Sequence, residues 1–138
     1  MGRDDGFTLV EVLVVMLILG LLAAIAIPSY FSQRDKARDA QAKSAVKTAQ
    51  LAAEALATDN EGAYDGPQGV TVANLRSVER TLNNADLSVP AVGHKTYTVR
   101  VRSSTGNDFD IEHLANGTNA FTCTSPGTAG CPSSGTWA

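Results

Sequence analysis

The sequence predicts an α+β protein: one long N-terminal helix packed on a small antiparallel sheet of three or four strands. Two observations predict the helix. Phe7–Ile27 is a run of 21 residues, almost all apolar, and Ser29–Asp59 contains no glycine or proline and is rich in alanine and other strong helix formers. A third predicts the sheet: beyond Gly62, short stretches alternate apolar and polar side chains between turn-forming residues.

The apolar run comes first. As a helix it is about 31 Å long, roughly the thickness of a bilayer's hydrocarbon core. A polar leader, Met1–Gly6, precedes it, a breaker, Pro28, follows it, and Glu11 is its one ionisable residue. Three readings fit: a cleaved secretory signal, a plain single-span anchor, or a segment used both as anchor and for assembly. Ala24-Ile25-Ala26 suits a small-x-small cleavage site, but the leader holds one Arg and two Asp where a secretory signal wants net positive charge. A plain anchor tolerates the length but not Glu11, because a carboxylate in a span costs about 2–3 kcal/mol and is retained for a function.

Pro28 need not end the helix; inside one it releases a backbone bond and kinks the axis. Beyond it, Ala42, Ala45, Val46, Ala49, Ala52, Ala53 and Leu56 recur at helical spacing and define one apolar stripe, with Lys43, Lys47, Gln50 and Glu54 largely off it. A stripe built from alanine lets a second element approach closely. Arg34, Asp35, Lys36, Arg38 and Asp39 read as a solvated charged belt past the span. Asp59-Asn60-Glu61-Gly62 reads as the stop, with Gly62 as the left-handed cap. The whole helix, Phe7 to about Asp59, would be roughly 80 Å long.

Ala63–Val70 is a turn-rich connection. A short helix follows from Thr71, with Val72, Leu75, Val78, Glu79 and Leu82 at approximate helical spacing, ended by Asn83-Asn84-Ala85-Asp86. Val89–Gly93 reads as a loop or irregular edge. Lys95–Arg102 is the clearest strand, with Tyr97, Val99 and Val101 on one face and Thr96, Thr98, Arg100 and Arg102 on the other. Ser103–Asp108 is a hairpin loop, and Phe109 and Ile111 alternate with Asp110 and Glu112 in a second strand. Asn116-Gly117 marks a turn, and Ala120–Thr124 a third strand. Arg100 and Arg102 are placed to pair with Asp110 and Glu112 across the exposed face, at about 0.2–1 kcal/mol per pair.

The chain has 138 residues, so one domain is expected. Net charge is −3, and from Ser29 onward 10 Lys and Arg stand against 11 Asp and Glu, which gives no basic surface for nucleic acid. Cys123 and Cys131 are the two cysteines. In an exported chain they are expected to form a disulfide, worth about 2.5 kcal/mol for so short a loop. Their spacing does not suit a redox or zinc site. His94 and His113 are read as structural. Asp108, Asp110 and Glu112 lack the loop geometry that calcium wants, so no metal site is expected. Asn116-Gly117-Thr118 formally fits a glycosylation acceptor but reads as a turn. No nucleophile–base pair, phosphate loop or catalytic acid pair is present in the pattern, so the chain is not expected to be an enzyme and no cofactor is implied.

Gly6-Phe7-Thr8-Leu9-Val10-Glu11, followed by the apolar run, resembles the class III signal of type IV pilins and of the related pseudopilins of type II secretion. Gly20 and Pro28 stand where that family commonly has glycine and proline. The leader departs from the family by lacking a surplus of Lys and Arg. The resemblance implies the pilin fold and three segments: a leader at 1–6, a transmembrane and filament-core helix at 7–28, and an amphipathic helix with globular head at 29–138. It implies cleavage between Gly6 and Phe7 by a prepilin peptidase that also methylates the Phe7 amine, and pairing of Glu11 with the amine of a neighbouring subunit. Gly20 and Pro28 would weaken the helix between them, and the Cys123–Cys131 loop would face outward. The implied partners are copies of the chain itself, the peptidase/methyltransferase, an inner-membrane platform protein, an assembly ATPase, and membrane lipid before assembly. The implied location is a single pass through the inner membrane and then an extracellular pilus filament. A pseudopilin of a secretion or competence system is the alternative.

Overall fold

A computed structural model of the chain describes Gly2 and residues 5–138; Met1, Arg3 and Asp4 of the expected leader lie outside the described residues. The elements are α1 (Leu9–Asp59), α2 (Val72–Val78), a 3-10 turn (Arg80–Asn84), β1 (Asp86–Gly93), β2 (Thr96–Arg102), β3 (Asp108–His113) and β4 (Asn119–Cys123). The chain separates into two compact units, Met1–Arg34 and Asp35–Ala138, and each is described by itself.

The first unit is the N-terminal part of α1 with the residues before it. Its large apolar side chains, from Phe7 through Ile27, are all exposed. A helix apolar all round is stable in water only when something covers it, either lipid or other protein. The helix runs through Pro28, as the sequence allows. With no N–H, Pro28 cannot bond the Ala24 carbonyl one turn earlier.

In the second unit, the C-terminal part of α1 packs on a four-stranded antiparallel sheet of order β1-β2-β3-β4. Ala42, Val46, Ala49, Ala52, Ala53 and Ala57 are buried against Leu87, Tyr97, Val99, Val101, Phe109 and Ile111. The expected stripe is thus the core face, extended one turn by Ala57, while Ala45 and Leu56 lie at its partly buried margin. Val99 faces Ile111 and Val101 faces Phe109 across the β2–β3 register, so the alternation in both strands delivers their apolar residues to one side.

Several local expectations are corrected. Val89–Gly93 is part of a strand, β1, whose register with β2 shifts between Ser88 and Ala91. Pro90 sits within that shift, where no ladder N–H is required, and the irregularity blunts the edge. The opposite edge is also covered: Thr136 bridges to Thr122, and Cys123 N–H donates to the Gly135 carbonyl at 2.9 Å. The short helix does not run to Leu82. The Glu79 carboxylate accepts from Thr81 N–H at 3.0 Å and from Thr81 Oγ1 at 2.8 Å, which restarts the chain as a 3-10 turn. Leu75 and Leu82 are buried, but Val78 is left exposed.

At the end of α1, Gly62 N–H donates to the Ala57 carbonyl at 2.7 Å, closing the last turn. Glu61 (φ 56°) as well as Gly62 (φ 81°) is left-handed, so the cap position falls on a residue with a side chain as well as on the expected glycine. The connection that follows is tight. Val70 N–H donates to the Tyr64 carbonyl at 2.6 Å, and a Cβ at Gly69 would overlap the backbone carbonyls of Tyr64 and Asp65. Gly69→Ala is therefore expected to destabilise the unit by about 2–3 kcal/mol, read as a lower urea midpoint.

Candidate functional site

The N-terminal turn of α1 carries the residues that the sequence singles out. Thr8 Oγ1 accepts a hydrogen bond from Glu11 N–H at 3.2 Å, and the Thr8 carbonyl accepts from Val12 N–H at 3.2 Å. Thr8 is thus the N-cap of α1, and Glu11 is its third residue. Thr8-Leu9-Val10-Glu11 has the T-x-x-E spacing of a capping box. That spacing is a purely local signal in the sequence. Phe7, Glu11, Val12, Val15, Met16 and Leu19 line one groove along this turn. Phe7 and Glu11 therefore share a face, and the one carboxylate in the apolar segment is exposed beside the N-terminal end of the helix, where the helix dipole favours negative charge. A Cβ at Gly20 would meet nothing within 4 Å, so within the chain this glycine serves no packing purpose and costs about 1 kcal/mol of helix propensity relative to alanine.

In the second unit, Asp39 is fully buried, not part of a solvated belt. Its carboxylate accepts from Thr105 Oγ1, from Asn107 Nδ2 at 2.7 Å and from Gly130 N–H at 2.9 Å. Burial pushes this carboxyl up, but hydrogen bonds from Ser103, Thr105, Asn107 and Gly130 outweigh it and hold the group below its ordinary value. One turn along, Lys43 Nζ donates to the Gly130 carbonyl at 2.6 Å and lies 5.4 Å from the Phe109 ring centroid. Asp39 and Lys43 thus hold both ends of one residue. A Cβ on Gly130 would come within 2.6 Å of Asp39 Cβ, so only glycine permits this approach.

Gly130 belongs to the loop closed by the Cys123–Cys131 disulfide, whose Cα atoms are 5.9 Å apart. The expected pairing is therefore present. The disulfide ties the loop to β4, while Asp39 and Lys43 tie it to α1. Asn107 Nδ2 also reaches the Thr128 carbonyl at 3.3 Å, joining the β2–β3 hairpin to the same point.

A second polar cluster clamps the other end of the sheet. Tyr64 and Tyr97 donate their hydroxyls to the two oxygens of Glu54, at 2.9 and 2.8 Å. His113 stacks on Tyr97, lies 3.3 Å from the Tyr64 hydroxyl through Nε2, and meets Asn119 Oδ1 at 2.8 Å through Nδ1. Its role is structural, as expected. Burial first, and the Glu54 carboxylate second, push the Tyr64 hydroxyl up to about 12 and raise Tyr97 as well. A phenol whose folded value is raised gives stability that is complete below its ordinary value near 10 and is lost as pH rises through about 12. The urea midpoint is therefore expected to fall across that window, and less steeply in Tyr64→Phe.

Of the expected surface pairs, the one at Arg100 forms and the one at Arg102 is re-partnered. Arg100 forms a bidentate pair with Asp110 at 2.7 Å, but Arg102 faces Asp108, at 3.7 Å, and Glu112 stands opposite Thr98. Register decides this: an antiparallel ladder fixes a constant index sum, and 100 with 110 requires 102 with 108. Asn116-Gly117 is the β3–β4 turn, with Gly117 at φ 83°. Among the described residues, no group of three or more His, Cys, Asp or Glu is placed to hold a metal.

Comparison with known proteins assigns the class. Residues 1–27 match the family model for the prokaryotic N-terminal methylation motif. The chain is 32% identical to the type IV major fimbrial protein FimA of Dichelobacter nodosus, over 78% of this chain and 70% of that protein. It is 31% identical to the type IV major pilin protein PilA of Myxococcus xanthus, over 66% of this chain and 47% of that protein. It is 37% identical to the type II secretion system core protein G of Pseudomonas aeruginosa, over 49% of this chain and 48% of that protein. The chain belongs to the type IV pilin and pseudopilin superfamily. It spans about half the length of the last two relatives. No solved structure gives a significant match.

Proposed function

We propose that this chain is a structural subunit of a type IV pilus, held in the inner membrane as a single-pass precursor and polymerised through its N-terminal helix into an extracellular filament. The observation that supports this best is an apolar segment exposed on all sides and joined to a methylation motif, in a chain with fimbrial kinship across most of its length. Lipid covers that surface first and neighbouring subunits cover it later, so one apolar setting replaces another. In this reading residues 1–6 are a leader, 7–28 the membrane and filament-core helix, and 29–138 the amphipathic helix and head. The peptidase cuts between Gly6 and Phe7, and a methyl donor then modifies the new amine. Glu11 pairs with the Phe7 amine of a neighbour and sets the axial register. Gly20 and Pro28 mark where the helix yields under load. A platform protein and an ATPase supply the work of extraction. The role is not enzymatic.

The likeness to core protein G of type II secretion favours a second reading, a pseudopilin in a short periplasmic fibre. Deleting the chain separates the two. Loss of long surface filaments in electron micrographs, with secretion of exported enzymes intact, is the result expected. Retained filaments with blocked secretion would favour the pseudopilin.

A further inference from the structure

The segment around the proposed cut has a conformation of its own. Asp5–Thr8 lie outside any helix or strand, and among the described residues no backbone hydrogen bond ties Asp5, Gly6 or Phe7 to the rest of the chain. Phe7 is 84% exposed. Gly6 has open space where a Cβ would stand, and its φ is not in the left-handed region. Nothing among the described residues therefore asks for glycine there. The requirement belongs to whatever binds the segment, and a protease reads its substrate as extended chain, through backbone groups that a helix would occupy.

What keeps this segment out of the helix is the cap. Thr8 accepts from Glu11 N–H and Val12 N–H, so the helix begins at Leu9, and an N-cap residue has non-helical backbone. Three residues upstream stands Asp5, which is an equally good cap by residue type. A helix capped at Asp5 would begin at Gly6 and enclose the Gly6–Phe7 bond. We propose that Thr8 is a positioning residue for processing: by capping α1 it stops the helix short of the Gly6–Phe7 bond and presents that bond as extended chain to the peptidase. The inference rests on cleavage at that bond. In the hydrolysis the Gly6 C–Phe7 N bond breaks, water supplies hydroxide to the Gly6 carboxyl carbon, and the remaining proton goes to the Phe7 amine.

The test follows single-turnover cleavage of the full-length chain in membranes carrying its prepilin peptidase, read by mass and N-terminal sequence. Thr8→Ala removes the cap and favours helix, and is expected to slow cleavage about tenfold, the scale set by the worth of an N-cap. Thr8→Ser and Thr8→Asn, unlike in shape but both good caps, are expected to stay within about twofold of the native rate. Asp5→Ala added to Thr8→Ala removes the competing start and is expected to recover most of the loss. Amide exchange at Glu11 reports the cap independently and should quicken in Thr8→Ala. Native-rate cleavage of Thr8→Ala overturns the proposal. So does a Thr8→Asn chain as slow as Thr8→Ala, which would mean that the peptidase reads the threonine directly. A native cut at any other bond would instead remove the processing reading on which the proposal stands.

Discussion

Replacing Asp39 by alanine is expected to destabilise the Asp35–Ala138 unit by about 3–5 kcal/mol. Asp39 is fully buried and joins three separate segments: α1 carries it, the 103–107 hairpin donates through Thr105 and Asn107, and the disulfide loop donates through Gly130 N–H. Alanine takes the shared acceptor from buried Asn107 and half-buried Thr105 and Gly130, leaves Asn107 only its longer bond to the Thr128 carbonyl, and opens a small void. For a domain of this size the loss lowers the melting temperature by about 4–8 °C per kcal/mol, followed by near-UV circular dichroism of the chain in detergent. Asp39→Asn keeps the shape but loses the charge-assisted bonds, and should fall between the two. The pH dependence has a definite sign. The folded carboxyl lies below its ordinary value, so its contribution is complete above about pH 4 and is lost as the pH falls through the folded value. The gap between native chain and Asp39→Asn should therefore close in acid. An Asp39→Ala chain that melts with the native one would remove this carboxylate from its structural role.

The second large effect is on assembly. Glu11→Leu is expected to leave cleavage intact but to lower filament yield more than about tenfold, because a carboxylate paired with an amine in a low-dielectric core is worth several kcal/mol. Glu11 is the one ionisable group between Phe7 and Ile27, and it lines the same groove as Phe7. Leucine improves the match to lipid, so reduced membrane insertion cannot account for the loss. Yield is measured by shearing cells and weighing the released chain against the membrane-bound pool. Filaments in native amount from Glu11→Leu would rule out the register role.

Sequence periodicity carried the fold a long way. The stripe from Ala42 to Leu56 identified the face of α1 that meets the sheet, because 3.6-residue spacing leaves little choice of face. The alternation of Tyr97, Val99 and Val101 placed β2 with its core side correct. The failures have physical causes. β1 reads only as a loop or irregular edge because Pro90 and a bulge interrupt its pattern, and both are what an edge strand tolerates. Asp39 differs from the expected solvated belt because its helical phase, not its charge, sets its position. It lies three residues before Ala42, on the stripe's own spacing, and a carboxylate there must be buried and bonded. Its partners are 66 to 91 residues away in sequence, which no local pattern reveals. Lys43 and Glu54, set aside as off the stripe, flank it closely enough to bond over the sheet's two ends. At the N-terminus Gly6, Phe7 and Glu11 lie within residues 1–27, which match the methylation motif as one local stretch. The cap at Thr8 is equally local, a T-x-x-E spacing set against the start of the apolar run.

The N-terminus of the assembled chain records processing and assembly together. The most direct measurement is intact mass and N-terminal sequencing of the chain recovered from sheared surface filaments. The predicted result is a chain that begins at Phe7, lacks residues 1–6 and carries one additional methyl group on its amine. A chain in filaments that begins at Met1, or at any residue other than Phe7, would contradict it.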